Sequence, residues 1–269
     1  MRIPFIKMHG LGNDFVVLDA RRDALVPVTS DLARALADRK TGIGCDQLIL
    51  LEPSGNADFR MRIFNHDGGE VESCGNASRA VALLHGAPAS IETSGGVIEA
   101  RPSESGIAVD MGMPRFGWQE IPLAYAMDTT SLPVAWEELE NPFALNVGNP
   151  HVVFFVEDAD AIELDRLGPQ IEHDPVFPDR VNVNVAQIVD RKKMLLRVWE
   201  RGAGLTRACG TGACASAVAA MRKGLTDSEI AVTLPGGTLT IAWEEGEPVT
   251  MTGPATESFR GTFDPADYA

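Results

Sequence analysis

The sequence of 269 residues predicts an α+β fold made of two homologous domains, each a largely antiparallel β-sheet wrapped around a central helix. Three observations predict this class. Short runs rich in Val, Ile, Leu and Phe, which are typical of strands, recur along the chain. Two helical segments carry almost no charge, which is typical of buried helices. A set of residue spacings in the first half recurs in the second half, which indicates a duplicated unit.

Strands outnumber helices in the predicted order of elements. The apolar and β-branched runs predict strands at Ile3–Met8, Phe15–Asp19, Gln47–Glu52, Phe59–Phe64, Gly96–Arg101, Ile107–Met111, Val152–Val156, Asn182–Val189, Met194–Glu200, Ile230–Leu234, Thr238–Trp243 and Val249–Thr252. Two surface helices are predicted between them. One is Asp31–Arg39, with a cap at Thr29 or Ser30 and a stop at Gly42, and the other is Glu163–Glu172.

Two further helices are predicted to be buried. Asn76–Leu84 contains Arg79 as its one charged residue, and Gly210–Met221 contains none. A helix that is apolar all round lies in a core, and both segments are too short to cross a bilayer. Each follows a Cys-Gly pair, so we expect each sheet to enclose one helix that begins beside a cysteine.

The repeat is clearest ahead of these Cys-Gly pairs. Arg62–Asn65 ends nine residues before Cys74, and Arg197–Glu200 ends nine residues before Cys209. Two more pairs keep nearly the same register, namely Gln47 with Asn182 and Asn13 with Asn149. Several matches in one register indicate two halves built on one plan. We expect the halves to face each other across a cleft, with equivalent residues on its two walls.

The charge balance excludes several kinds of partner. The chain has 23 Lys and Arg residues against 38 Asp and Glu residues, which gives a formal net charge of −15. Such a chain repels nucleic acid and anionic lipid surfaces. The N-terminal residues lack the pattern of a signal peptide, and no window approaches the roughly 20 apolar residues of a membrane span. We therefore expect a cytoplasmic protein with reduced thiols that binds neither nucleic acid nor a membrane.

Cys74 and Cys209 are the candidates for chemistry because each opens a predicted helix. The N–H groups and positive dipole end of a helix N-terminus stabilise a thiolate and also bind a carboxylate. Two thiols on opposite walls of a cleft can remove a proton from one face of a carbon and deliver one to the other face, which inverts a stereocentre. That reaction does not require pyridoxal phosphate. Cys45 and Cys214 are interpreted as small buried side chains.

Other classes of function fit the sequence less well. The glycines of Gly10–Gly12 and Gly42–Gly44 lack the βαβ context of a dinucleotide fingerprint. The cysteines lack the paired spacing of a zinc site, so we expect no metal. A thiol–disulfide oxidoreductase is an alternative that would favour closely spaced cysteines. A non-catalytic amino-acid-binding protein is the other alternative of a different class.

Seven segments in order resemble the diaminopimelate epimerase family. The resemblance covers nearly the whole chain through KMHGLGNDFVVLDAR, GIGCDQLI, FRMRIFNHDGGEVESCGN, NVGNPHVVFFV, RVNVNVAQ, VWERGAGLTRACGTGACA and MTGPA. It implies a cofactor-independent isomerase of lysine and peptidoglycan-precursor biosynthesis, which interconverts LL- and meso-2,6-diaminopimelate with a thiolate and a thiol. A cofactor-independent racemase of another amino acid on the same fold is the alternative.

The resemblance also implies roles for particular residues. The catalytic pair falls on Cys74 and Cys209, with Cys74 taking the proton from the LL isomer and Cys209 from the meso isomer. Groups that tune these thiols fall on His151 and Glu200. The substrate-binding residues fall on Asn13, Gln47, Asn65, Gly75, Asn76, Asn149, Asn182, Glu200, Arg201, Gly210 and Thr211. Amides donate to carboxylates and accept from ammonium groups, and a guanidinium binds a carboxylate with two parallel bonds, so this set suits a diamino diacid.

Domain boundaries and assembly are further implications of the resemblance. The N-terminal epimerase half is expected at residues 1–117 with 255–269, and the C-terminal half at 118–254. A homodimer is expected, with Phe259 at the dimer contact where the family has Tyr. Ala77 stands where the family usually has Gly, His66 where it has a small residue, and Leu205 where Glu is common. None of these departures removes a residue with a role, so we expect mild effects on turnover and selectivity.

Overall fold

The computed structural model describes residues 2–72 and 74–268. The chain forms two compact units, one of residues 1–109 and 253–269 and the other of residues 110–252. The C-terminal segment therefore belongs to the first unit.

Strands make up most of the regular structure. The strands up to residue 110 are Ile3–Gly10 (β1), Asn13–Asp19 (β2), Gln47–Glu52 (β3), Phe59–Asn65 (β4), Glu70–Val71 (β5), Ala89–Thr93 (β6), Gly96–Ser103 (β7) and Gly106–Asp110 (β8). Those that follow are Ala135–Trp136 (β9), Leu139–Glu140 (β10), Phe143–Asn146 (β11), Pro150–Val156 (β12), Asn182–Asp190 (β13), Lys193–Glu200 (β14), Gly204–Thr206 (β15), Glu229–Leu234 (β16), Gly237–Ala242 (β17), Thr250–Gly253 (β18) and Thr256–Phe263 (β19).

The described helices are few. They are Ser30–Ala37 (α1), Gly75–His85 (α2), Leu164–Glu172 (α3), Gly210–Arg222 (α4) and a short 3₁₀ turn at Pro265–Tyr268. The cap of α1 is Thr29, whose side chain accepts a hydrogen bond from the N–H of Leu32 at 3.2 Å, so of the two predicted caps the structure selects this one. No described helix has both the length and the apolar character needed to cross a bilayer.

The same pairing pattern occurs in both units. In the first, β1–β2 is antiparallel, β2–β3 parallel, β3–β4 antiparallel, β4–β6 parallel, and β6–β7 and β7–β8 antiparallel. In the second, the series β11, β12, β13, β14, β16, β17, β18 repeats these orientations step by step. Parallel neighbours need a crossover, and a helix lies within each one: α1 and α2 in the first unit, α3 and α4 in the second. The duplication predicted from residue spacing is present in the topology.

The helices α2 and α4 are the buried ones in their units, as the uncharged sequences predict. The helix α2 packs on β1, β2, β6, β7 and β19, and α4 packs on β11 to β14, β16 and β17. Most of their residues are buried, and their many Ala and Gly residues allow strands to approach from several sides. The crossover helices α1 and α3 instead bury one face against a hydrophobic cluster and leave the other in solvent.

All twelve predicted strands are present with small changes at their ends, and seven strands were not predicted: β5, β6, β9, β10, β11, β15 and β19. Six of the seven have five residues or fewer, which is too short for a clear periodic pattern. The longest, β19, is mostly exposed and pairs antiparallel with β1. Its strand conformation depends on backbone hydrogen bonds to that neighbour rather than on its own composition.

Candidate active site

Cys74 is the N-terminal cap of the buried helix α2. Its backbone is extended, with φ −151° and ψ 110°, and its carbonyl accepts the N–H of Ser78 at 2.9 Å. The thiol donates to Oδ1 of Asn13 at a sulfur–oxygen distance of 3.8 Å. The cysteine is half-buried and lies at the start of the helix, as the sequence predicts.

A chain of polar side chains surrounds this cysteine. The Asn76 amide donates to Oδ1 of Asn13 at 3.2 Å, and Asn13 donates to Oδ2 of Asp46 at 3.0 Å. At the other end, Arg79 donates to Oδ1 of Asn76 at 2.7 Å and is fully buried. A carboxylate can only accept and a guanidinium can only donate. The two charged ends therefore determine which way both amides are turned beside Cys74.

Asp46 is itself held by a cluster of charges. Arg39 bridges Oδ1 of Asp14 at 2.6 Å and Oδ1 of Asp46 at 2.7 Å, and Lys7 donates to Asp14. Burial opposes ionisation of Asp14, but the hydrogen bonds and charges of Arg39 and Lys7 outweigh it and lower the pKa of this carboxyl to about 2. This cluster was not singled out from the sequence, although its members lie within or beside the motifs KMHGLGND and GCDQ.

Gln47 and Asn65 form a second polar pair in the first unit. They face each other in the register of β3 and β4, and Gln47 Nε2 donates to Asn65 Oδ1 at 3.0 Å. The remaining Gln47 oxygen, Oε1, is buried and has no hydrogen-bond partner among the described residues. It is an acceptor that an ammonium group can use.

Cys209 is the equivalent cap of α4 in the second unit. Its backbone is extended, with φ −129° and ψ 109°, and its side chain is almost fully buried. Sγ accepts the N–H of Gly212 at 3.3 Å and lies 3.6 Å from Oγ1 of Thr211. The helix N-terminus thus contacts the sulfur directly.

The environment of Cys209 favours the thiol over the thiolate. Burial raises the pKa of Cys209 well above its usual value, and the negative charge of Glu200 and a hydrogen bond to it raise it further. The hydrogen bonds from Thr211 and Gly212 lower it, in the direction predicted for a helix N-terminus, but they are outweighed. At this cysteine the helix end therefore favours the thiolate as predicted, while the net effect of burial and Glu200 favours the thiol.

Glu200 ends β14, and Arg201 begins the loop that follows it. Glu200 Oε1 accepts the hydroxyl of Thr206 at 2.6 Å. Asn182 is buried, and its amide accepts the N–H of Arg201 at 3.0 Å and donates to the carbonyl of Pro150 at 2.8 Å. In this structure Asn182 therefore organises the backbone of the loop, while the Arg201 side chain is exposed.

Glu172 binds the residues that flank Glu200 and Arg201, and it was not predicted from the sequence. It ends α3, is 2 % exposed, and accepts from Trp199 Nε1 at 2.7 Å and from the N–H of Gly202 at 3.0 Å. Its two oxygens thus clamp the residues on either side of Glu200 and Arg201. From the sequence alone, Glu172 is one carboxylate among several on an amphipathic helix. Its role is recognised only when its partners Trp199 and Gly202, which are distant in sequence, are known.

His151 connects the half-buried amide of Asn149 with the fully buried amide of Asn184 in the second unit. Its Nε2 lies 2.8 Å from Oδ1 of Asn149, and its Nδ1 lies 3.1 Å from Nδ2 of Asn184. Burial lowers the pKa of His151 to about 3, helped by the positive charge of Arg201 and opposed by the hydrogen bond with Asn184. The imidazole is therefore neutral at physiological pH.

The predicted residues divide between the units. The first unit contains Asn13, Gln47, Asn65, Cys74, Gly75 and Asn76, and the second contains Asn149, His151, Asn182, Glu200, Arg201, Cys209, Gly210 and Thr211. Asn13 and Asn76 lie beside Cys74, and Glu200 and Thr211 lie beside Cys209, whereas Gln47 and Asn65 form a separate pair. No group of three or more His, Cys, Asp and Glu side chains in residues 2–72 and 74–268 has the arrangement of a metal site.

The other two cysteines are buried, and two of the three departures from the family pattern are exposed. Cys45 is buried, and burial raises its pKa to about 11, while Cys214 lies inside α4. Ala77 is buried in α2, whereas His66 and Leu205 are exposed.

The profile of the family described as "Diaminopimelate epimerase" matches residues 5–117 and 143–257. The chain belongs to the diaminopimelate epimerase family. A diaminopimelate epimerase from Erythrobacter litoralis is 70% identical over 269 residues, which is 100% of both chains. One from Rhizorhabdus wittichii is 65% identical over 264 residues, covering 98% of this chain and 96% of the relative.

Solved structures confirm the fold class predicted from the sequence. A hydroxyproline epimerase from Agrobacterium vitis superimposes with a TM-score of 0.67 at 16% identity, over 99% of this chain and 94% of its own. A PhzF-family phenazine biosynthesis protein from Enterococcus faecalis gives a TM-score of 0.72 at 14% identity, over 98% and 100% of the two chains. The family profile matches twice, so the two halves of this diaminopimelate epimerase family member are repeats of one domain.

Proposed function

We propose that the protein is an isomerase that interconverts LL- and meso-2,6-diaminopimelate. One observation carries the proposal. Two cysteines, Cys74 and Cys209, cap the buried central helices at the same place in a repeated topology, and both have extended backbones that leave the sulfur at the helix N-terminus. Relatives that are 65–70% identical over nearly their full length are named diaminopimelate epimerases, which supports this substrate.

The reaction is a proton transfer on each face of one α-carbon. With the LL isomer, the Cys74 thiolate takes the α-proton, and the electron pair of the broken C–H bond is delocalised into the adjacent carboxylate. The Cys209 thiol then donates its proton to the opposite face, which leaves Cys74 as thiol and Cys209 as thiolate. The meso isomer runs through the same steps in reverse. The raised pKa of Cys209 supports its role as the acid in the LL direction.

The proposed substrate contacts come from both halves of the sequence. The N–H groups at the starts of α2 and α4 suit a carboxylate that gains charge as the α-proton leaves. Arg201 suits a second carboxylate, and the partnerless Oε1 of Gln47 suits an ammonium group. The other proposed contacts are Asn13, Asn65, Gly75, Asn76, Asn149, Asn182, Glu200, Gly210 and Thr211, with His151 and Glu200 setting the electrostatics of the site. These groups complete the reaction without a metal or a cofactor.

Deuterium incorporation tests the mechanism. In D₂O, either isomer should gain deuterium at one α-carbon as it epimerises, and Cys74→Ala and Cys209→Ala should each abolish epimerisation. Cys214→Ala, in the same helix as Cys209, is the matched control and should retain activity. Near-normal turnover in either Ala variant at the helix starts would refute the two-base mechanism.

Substrate identity is tested separately in the same exchange assay. Diaminopimelate should exchange far faster than lysine, histidine, glutamate or proline. Exchange with one of these and none with diaminopimelate would retain the mechanism and replace the substrate. Absence of exchange with all five would favour the redox or binding alternatives.

Location and assembly complete the proposal. The reaction needs both thiols reduced, which favours the cytoplasm. We infer a homodimer through the exposed face of β19, where Phe259 is 51% exposed and its ring lies edge-on to Phe5 at 6.0 Å. Phe259→Ser should convert a dimer to a monomer in light scattering coupled to size exclusion, and an unchanged mass would reject this contact.

A further inference from the structure

Asn184 has a defined orientation in the core of the second unit. It lies on β13, is fully buried, and its Nδ2 is 2.8 Å from the carbonyl oxygen of Val152. A carbonyl only accepts, so the atom facing it must be the amide nitrogen. A longer contact of 3.4 Å to the carbonyl of Asn182 is consistent with the same orientation.

This orientation determines the tautomer of His151. The Asn184 nitrogen also lies 3.1 Å from Nδ1 of the imidazole, and an amide NH₂ group donates but does not accept. A proton on Nδ1 would place two donors against each other, so Nδ1 must be the acceptor. Because burial keeps the ring neutral, its single proton is on Nε2.

The tautomer in turn orients Asn149. The Nε2–H of His151 donates to Oδ1 of Asn149 at 2.8 Å. With its oxygen engaged, Asn149 has its NH₂ group left to donate to a ligand. A carboxylate oxygen is the acceptor that such a group binds in a diacid substrate.

The remaining atom of Asn184 indicates that the residue is present for its NH₂ group. Oδ1 is buried and has no hydrogen-bond partner among the described residues, an arrangement that costs stability. It faces the first turn of α4, where a Cβ on Gly212 would lie 2.7 Å from it. An apolar residue here would leave Nδ1 of His151 without this donor.

We propose that Asn184 is a positioning residue, which fixes His151 as the Nε2–H tautomer and so turns the NH₂ group of Asn149 toward a substrate carboxylate. The proposal rests on the proposed function, in which Asn149 contacts the substrate. It adds a residue that lies behind the ligand-facing side chains and acts through two hydrogen bonds.

The tautomer is measured first, in the free wild-type protein. Two-bond ¹H–¹⁵N correlations on protein with ¹⁵N-labelled histidine, assigned with His151→Gln, should show the proton on Nε2. A proton on Nδ1 would overturn the proposal without any substitution at position 184. This result does not depend on the substrate.

Substitution then tests the relay. In Asn184→Asp the carboxylate accepts from Nδ1–H, so the tautomer should reverse and Asn149 should turn its oxygen outward. We expect KM for diaminopimelate to rise about tenfold or more, as for loss of a hydrogen bond to a charged group, with kcat changed less. Asn184→Leu removes the donor and should give a mixture of tautomers and a smaller rise in KM.

Ser216→Ala is the control, since it alters another fully buried polar group with no described partner, on α4. It should leave the tautomer and KM unchanged. The relay is overturned if Asn184→Asp keeps the wild-type tautomer. It is also overturned if Asn184→Asp keeps the wild-type KM while Asn149→Ala raises KM. Either result leaves the proposed function standing. If Asn149→Ala also has the wild-type KM, both the relay and the proposed role of Asn149 are wrong. The proposed reaction is tested separately, by the loss of deuterium exchange in Cys74→Ala.

Discussion

Gly212 is the residue whose enlargement should disturb the second cysteine most directly. It lies in the first turn of α4 and donates its N–H to Sγ of Cys209 at 3.3 Å. A Cβ at this position would lie 2.7 Å from Oδ1 of Asn184, 3.0 Å from Cγ2 of Val198 and 3.2 Å from Sγ of Cys209. The first of these neighbours cannot withdraw easily, because its amide nitrogen is bonded to a strand carbonyl.

The size of the effect follows from two opposing contributions. Overpacking a dense core costs about 1–3 kcal/mol, and the 2.7 Å approach to an anchored side chain favours the upper end. Alanine regains about 1 kcal/mol over glycine in a helix interior. The net loss for Gly212→Ala is therefore about 2 kcal/mol, which corresponds to a fall in Tm of roughly 4–8 °C for a unit of this size. Displacing the sulfur by a fraction of an ångström should also lower kcat about tenfold or more.

Calorimetry and the deuterium-exchange assay measure these two effects. Gly55→Ala is the matched control because no atom lies within 4 Å of its Cβ position, and its Tm should be unchanged or slightly higher. If Gly212→Ala has the Tm and kcat of wild type, the close approach of α4 to Asn184 is not a constraint and the reasoning is refuted.

Three other predictions follow from the electrostatics. Glu200→Gln removes the charge that raises the pKa of Cys209, so alkylation of Cys209 by iodoacetamide, followed by peptide mass spectrometry, should reach its half-point at lower pH than in wild type; an unshifted half-point would contradict the coupling. Glu172→Gln places an NH₂ group against one of two N–H donors, that of Trp199 or that of Gly202. The free energy of unfolding in urea should fall by about 1.5–3 kcal/mol, and an unchanged midpoint would show that these two hydrogen bonds are dispensable. The pKa of His151 is about 3 in the folded protein against 6.5 as the ordinary value. Between these two pH values the unfolded chain binds a proton at His151 that the folded protein does not bind. The stability from the neutral ring is complete above pH 6.5 and is lost as the pH falls, by up to about 1.4 kcal/mol per pH unit; His151→Gln should show a shallower fall, and an equal slope would reject the shifted pKa.

Local patterns account for the elements that the sequence predicts correctly. Runs such as Phe59–Phe64 and Ile230–Leu234 have the composition of strands, and the absence of charge between Gly210 and Met221 indicates a helix buried on all sides. These signals come from the composition of the segment itself, so they can be recognised without knowing which residues pack against it. The spacing repeat adds one long-range fact, because equal intervals in two halves require one plan of folding.

Strands and contacts that depend on partners could not be found in this way. The strand β19 has little apolar alternation, and its conformation comes from pairing with β1. The charged cluster around Asp14 and the clamp made by Glu172 join residues that are distant along the chain. A spacing pattern does not contain such contacts, since it does not specify which loops meet.

By itself, the sequence determined the fold class, the duplication, the positions of Cys74 and Cys209 at helix starts, and the family. The tertiary structure decided the state of these groups. Burial and the Glu200 charge, rather than the helix end, dominate the pKa of Cys209, and the contacts of Asn184 decide which nitrogen of His151 carries the proton. The physical reason is that protonation depends on desolvation and on neighbours in space, and both come into existence only when distant segments pack together.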